Sequence, residues 1–149
     1  MRQKILFGFS ILLLLIGGML YLFFRPKTLL LFSVAEELGM MPIIDNCRDN
    51  LTYITLPDFV VYCLPNGLWS AAYILSIDSL MTVFGKNSSG MEKHSYLLWT
   101  SIIPLVGVVS ELLQYMGVIP GTFDWGDIAC YAIPYMLYVG WKLIIDNYI

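Results

Sequence analysis

Four polar side chains in the last third of this chain have the types and spacing of a binding site. Glu111 and Gln114 are three residues apart, and after a short loop Asp124 and Asp127 are again three apart. Helical residues at that spacing leave the same face, so Glu111 and Gln114 point together. Asp127 stands at the start of an apolar run, where a carboxylate complements the positive end of a helix. Glu111 has no such support. It lies near the carboxyl end of its own apolar run, where the dipole disfavours an anion. An ionised group beside lipid also costs several kcal/mol unless it is paired or faces a wet cavity. Carboxylates and amides gathered this way can bind a cation, a sugar or a lipid headgroup. Closely placed carboxylates also raise one another's pKa, which suits proton exchange or general acid work. Asn66 and Asp58, ahead of an earlier apolar run, add polar groups at the same end. The simpler alternative is that Asp124 and Asp127 only cap a helix while Glu111 snorkels to water.

A second constellation is intramembrane. Counted from Pro65, Asp78 lies about 20 Å into its run, and counted from Ile128, Lys142 lies about 21 Å into the last one. Lone charges at such depth are expensive, so an Asp78–Lys142 pair across the bundle is expected. The alternative has Lys142 snorkelling while Asp78 bonds Thr100 or Ser101.

These residues are positioned by long apolar segments. Ile5 to Phe24 carries no charge over twenty residues, and a helix of that length covers about 30 Å, the thickness of a bilayer's hydrocarbon core. Further runs at 65–84, 95–114 and 128–145 complete an all-α membrane protein: one integral membrane domain, 1–149, with four transmembrane helices. Pro104 and Pro134 interrupt the last two runs and predict kinks. In the first long loop, Leu30, Leu31, Val34, Ala35 and Leu38 form an apolar stripe at helical spacing. That stripe predicts a short interfacial helix ended by Gly39. From Met40 to Thr55 the Asn, Asp and Pro residues predict an irregular loop. Trp69, Trp99, Trp125 and Trp141 fall near span ends, as interface anchors do.

Composition supports this reading. The chain is 58 % hydrophobic and only 13 % charged, with mean hydropathy +0.75, outside the soluble globular range. A net charge of −3 without a basic cluster gives no support to nucleic-acid binding. The first run is longer than a cleavable signal and lacks a small-x-small site, so it reads as a retained anchor. Placing both termini in the cytoplasm puts Arg2, Lys4, Lys86, Lys93 and Lys142 inside, against Arg25, Lys27 and Arg48 outside. Cys47, Cys63 and Cys130 show no metal-type pairing. A Cys47–Cys63 link is permissible, but buried free thiols are the expectation. His94, the sole histidine, has no ligand partner in the pattern. The sequons at Asn50-Leu51-Thr52 and Asn87-Ser88-Ser89 match at chance frequency, and no nucleotide or metalloprotease motif occurs. No cofactor and no metal are expected, and no catalytic residue can be assigned.

The stretch Glu111-Leu112-Leu113-Gln114, a short loop, then Phe123-Asp124-Trp125-Gly126-Asp127-Ile128 resembles the signature of the VanZ-like family of small multi-span bacterial membrane proteins. The resemblance covers roughly residues 110–138. This chain departs from the pattern at Gly121-Thr122, where the family usually has an arginine. It departs again at Tyr131, in place of an asparagine, and at Pro134, in place of a glycine. The resemblance implies a place in the bacterial inner membrane and association with the cell envelope, and in the family's namesake a contribution to teicoplanin resistance. The leading expectation is binding of an outer-leaflet or cell-wall component through Glu111, Gln114, Asp124, Asp127 and Asn66. The alternatives are an enzyme acting on a lipid-linked substrate, a small ion- or proton-coupled transporter, and a bundle that packs against helices of a partner protein. No basic residue near the carboxylates is evident to hold a phosphate.

Overall fold

The uncharged opening run folds as α1 (Arg2–Phe24) in the computed structural model, which describes residues 2–27, 30–85 and 93–147. Three helical stretches are long and apolar enough to cross a membrane: Gln3–Phe24, Phe59–Val83 and Ser95–Tyr115. Among the described residues the chain is all helical. The turn after Gly85 that holds Lys86 and the 87–89 sequon lies outside them.

α1 buries little of itself. Its seam is Ser10 and Gly17, seven residues apart and facing α4 (Leu64–Gly85). The Ser10 hydroxyl oxygen accepts from Ser76 at 2.8 Å and donates to Phe7 O at 2.7 Å. A Cβ on Gly17 would stand 2.6 Å from Trp69 Nε1, so Trp69 is a packing residue between helices and also stacks at 5.3 Å on Tyr21. Small residues at such a seam let backbones approach where lipid offers no hydrophobic drive. Ile5, Leu12, Leu14, Leu15 and Met19 face outward, an arrangement that water would punish and acyl chains accept.

α4 is the central helix, packed by α1, by α5 (Lys93–Tyr115) and by α6 (Trp125–Asn147). Its buried residues include Ser70, Asp78 and Ser79 as well as Ala72 and Ile74. Polar atoms inside and aliphatic ones outside are the inverse of a water-soluble core. Pro104 and Pro134 lie within α5 and α6, which run through them unbroken. α6 is rich in Tyr and carries Asp127 and Lys142, which dilutes its hydropathy, and it is not one of the three apolar stretches above.

Two local expectations change. The segment read as a loop contains α3 (Met41–Asn50), with Pro42 in its first turn, where a missing N–H costs nothing. α2 (Leu30–Glu37) does stop before Gly39, which adopts φ +67°. Its buried face, however, is Phe32 and Ala35 against Ile44 of α3, while Leu31, Val34 and Leu38 are exposed. Phe32 is drawn inward by α1, where Tyr21 and Leu22 pack on the same cluster. Arg48 of α3 then caps α1, donating from Nη1 to Leu22 O at 2.8 Å and Arg25 O at 2.9 Å. Lys27 and Asp45 pair at 2.6 Å beside it.

Candidate functional site

The site lies at the end of the bundle opposite the amino terminus, where α4 begins, α5 ends and α6 begins. Its foundation is a departure from regular helix. The run leading into α4 starts before Pro65, with a wide turn over Phe59–Cys63 in which Leu64 N–H reaches Phe59 O. Pro65 offers no N–H to the preceding turn. Arg25, just past α1, fills that gap: Nε donates to Val61 O at 3.2 Å and Nη2 to Tyr62 O. Its guanidinium also lies over the rings of Tyr21 and Tyr62, at 4.9 and 5.5 Å.

The wide turn aims the buried Cys63 thiol at the start of α6. The thiol donates to Asp124 Oδ2 at 3.6 Å, and a Cβ on Gly126 would stand 2.7 Å from Cys63 Sγ. Gly126 is therefore required by close approach. Asp124 is the helix cap: Oδ1 accepts from Gly126 N–H at 2.7 Å. Asp127 does not cap. It turns to α4 and accepts from the buried Asn66 Nδ2 at 2.9 Å.

Glu111 is 6 % exposed, so it does not snorkel, and Oε2 accepts from Asp124 N–H at 3.2 Å. The helix end of α5 and the loop before α6 are thereby tied through one carboxylate. Gln114 stands apart from this bonding. Its amide lies over Gly121, whose φ of +147° and lack of a Cβ make room for it. Gly121 belongs to the Gly121-Thr122 departure from the resembled pattern, and a side chain there would collide with Gln114.

Arg25, Asp58, Phe59, Tyr62, Cys63 and Thr122, with Asp124, Gly126 and Asp127, line an open cavity of about 590 Å³. A basic residue is thus present at the carboxylates after all, supplied from just past α1, 36 positions before Val61. Asp127 precedes the apolar run 128–145. Burial pushes its carboxyl above the ordinary aspartate range, against the pull of the Asn66 amide, the Cys63 thiol and the Arg25 charge. With more carboxylates than cations, this cavity suits ligands bearing an amine or several hydroxyls, and Arg25 adds a donor fork for an anionic group.

Among the described residues no group of His, Cys, Asp and Glu has the arrangement of a metal site. Cys47, Cys63 and Cys130 are all free thiols, so the permissible Cys47–Cys63 link is not made.

At the other end, Asp78 Oδ1 accepts from Lys142 Nζ at 2.6 Å and from Tyr138 O–H at 2.8 Å. Lys142 also lies over the rings of Tyr96 and Tyr138. Thr100 and Ser101, the alternative partners for Asp78, instead donate to carbonyls of their own helix. The sequence marks Arg25 only as an outer charge and Cys63 only as a thiol, and it does not bring either, or Tyr62, to the site. The available signal was Pro65, whose missing N–H demands a foreign donor for the turn before it.

Comparison of the chain with protein-family models, with curated proteins and with solved structures finds no match.

Proposed function

We propose that this chain is a VanZ-like protein of the bacterial inner membrane that binds an outer-leaflet or cell-wall component in the Arg25–Asp124–Asp127 cavity. In this reading residues 128–145 of α6 are the fourth span, α2 lies at the membrane surface and both termini are cytoplasmic, so that the cavity opens away from the cytoplasm. The carrying observation is the convergence of three segments distant in sequence on one polar cavity at a single end of the bundle. Glu111 and Asp124 hold the α5–α6 loop, Asn66 and Asp127 hold α6 to α4, and Arg25 supplies a cation that the loop lacks. Such a cavity, with both signs of charge, fits a zwitterionic or amine-bearing headgroup or peptide.

The test is glycopeptide susceptibility of a sensitive bacterium expressing the chain. Wild type should lower teicoplanin susceptibility, and Glu111→Gln or Asp124→Asn, at equal membrane levels, should abolish the effect. Unchanged susceptibility in every case would remove this assignment.

Arg25 also favours a second reading, a membrane enzyme acting on a lipid-linked phosphate, because its guanidinium provides the anion contact such chemistry needs. Turnover of a polyprenyl phosphate by the purified chain, lost in Asp124→Asn, would select it over simple binding.

A further inference from the structure

α1 and α6 both pack on α4 and leave between them a groove of about 640 Å³ that begins at the amino-terminal end of α1. This groove is separate from the cavity above and lies towards the other face of the bundle. Its walls are aliphatic and aromatic: Leu6, Phe9 and Leu13 on α1, Leu75 on α4, and Leu137 on α6. Its end is polar. Asp78 and Lys142 line it as an ion pair, and Gln3 lines it with a buried Oε1 that has no hydrogen-bond partner. An acceptor buried without a donor is costly, and it points to a donor that arrives with a ligand. The Lys142 ammonium has three donors, of which Asp78 Oδ1 takes one, and its side chain is 27 % exposed. Lys4, beside Gln3 on an adjoining groove, adds positive charge at this level.

The dimensions narrow the occupant. From Gln3 to Leu13, α1 advances about 15 Å, half the hydrocarbon thickness of a bilayer. Gln3 stands at the end of the groove, the Asp78–Lys142 pair lies further in, and the apolar walls continue past it to Leu13, an order that matches head hydroxyl, phosphate and acyl chain of one lipid in one leaflet.

We propose that this groove is a specific site for a glycerophospholipid whose head carries a single negative charge and a free hydroxyl. One acyl chain lies along Leu6, Phe9 and Leu13. The phosphodiester meets the Lys142 ammonium, and a head hydroxyl donates to Gln3 Oε1. Asp78 holds Lys142 in place and repels heads carrying a second negative charge. A zwitterionic choline or ethanolamine head places its own cation beside Lys142 and Lys4, and choline in addition supplies no hydrogen-bond donor.

The test uses the full chain purified in detergent, with native mass spectrometry to count retained lipid. Phosphatidylglycerol, phosphatidylethanolamine and phosphatidylcholine are each titrated in. One phosphatidylglycerol per chain should be retained about tenfold more tightly than either other lipid. Ala71→Phe, which fills the groove from α4, should reduce that retention by about tenfold or more. The double variant Asp78→Leu/Lys142→Met removes both charges together and should erase the preference for phosphatidylglycerol. If Ala71→Phe fails to fold, the double variant decides alone. Equal retention of the three lipids, or a preference surviving in the double variant, overturns the proposal. Because the readout is lipid retention, its failure is distinguishable from loss of the glycopeptide phenotype.

Discussion

The two polar regions of this bundle are assembled on opposite principles. Asp78 and Lys142 meet directly, side chain to side chain, deep between helices. At the far end the carboxylates face main-chain and neutral partners: Glu111 holds an amide N–H, Asp124 a helix start, and Asp127 the Asn66 amide. A charge pair is indispensable to each of its members but replaceable as a unit. A carboxylate that accepts from neutral donors can instead lose its charge while keeping its geometry. The first region therefore fixes how helices sit, whereas the second can be altered chemically without moving them.

That contrast breaks most visibly at the ion pair. Lys142→Ala leaves Asp78 buried without its cation and should cost about 3–5 kcal/mol in detergent unfolding. Asp78→Leu/Lys142→Met should recover most of that loss. If the single and double variants were equally damaged, the pair would not be the organising contact.

Next in size is Gly126→Ala. The new methyl would press on Cys63 Sγ and on Asp124 Oδ1, 2.7 and 3.2 Å from its ideal position, at a cost of about 1–3 kcal/mol. Adding Cys63→Ala should relieve most of the strain, since the sulfur is the nearer obstacle. Melting temperatures of the three variants give the answer.

Asn66→Ala removes the donor on Asp127 and should cost about 1–3 kcal/mol. It should also sharpen a pH signature. The folded-state pKa of Asp127 is raised by burial, so its contribution to stability is fully present below the ordinary aspartate range. That contribution is lost as pH rises through the raised value. Stability of wild type should therefore fall across that window relative to Asp127→Asn. In Asn66→Ala, which lacks the amide that favours the charged form, the window should move to higher pH. A difference curve of melting temperature against pH that rose through the window would contradict this account.

The smallest structural effect is expected at Glu111→Gln, within about 0.5 kcal/mol. The glutamine oxygen can still accept from Asp124 N–H, so folding is preserved while the charge is removed. Loss of function without loss of stability would set this region apart from the ion pair.

The apolar runs made the long helices readable, and the short loop from Glu111 to Asp124 made their proximity readable too. Equal depth, counted residue by residue, brought Asp78 to Lys142. What could not be read depends on chain folding over longer distances. α3 was hidden because Asn, Asp and Pro suggest a loop, although Pro42 serves as a helix starter and Arg48 caps another helix. The buried face of α2 was misassigned because periodicity cannot say that α1 would draw in Phe32 and leave Leu31 and Val34 outside. Pro65 suggested a helix start, whereas the helical path begins six residues earlier, at Phe59, because a guanidinium from α1 serves the carbonyls before it.

That guanidinium is committed before any ligand arrives. Arg25 already serves the main-chain oxygens of Val61 and Tyr62 through Nε and Nη2, and an anion that drew on those same two nitrogens would leave the oxygens to water. Occupancy of the cavity and the join of α1 to the Phe59–Cys63 turn thus share one side chain. A compound that turned Arg25 away from those oxygens would loosen the join between the end of α1 and the wide turn, while the seam at Ser10 and Gly17 stayed closed.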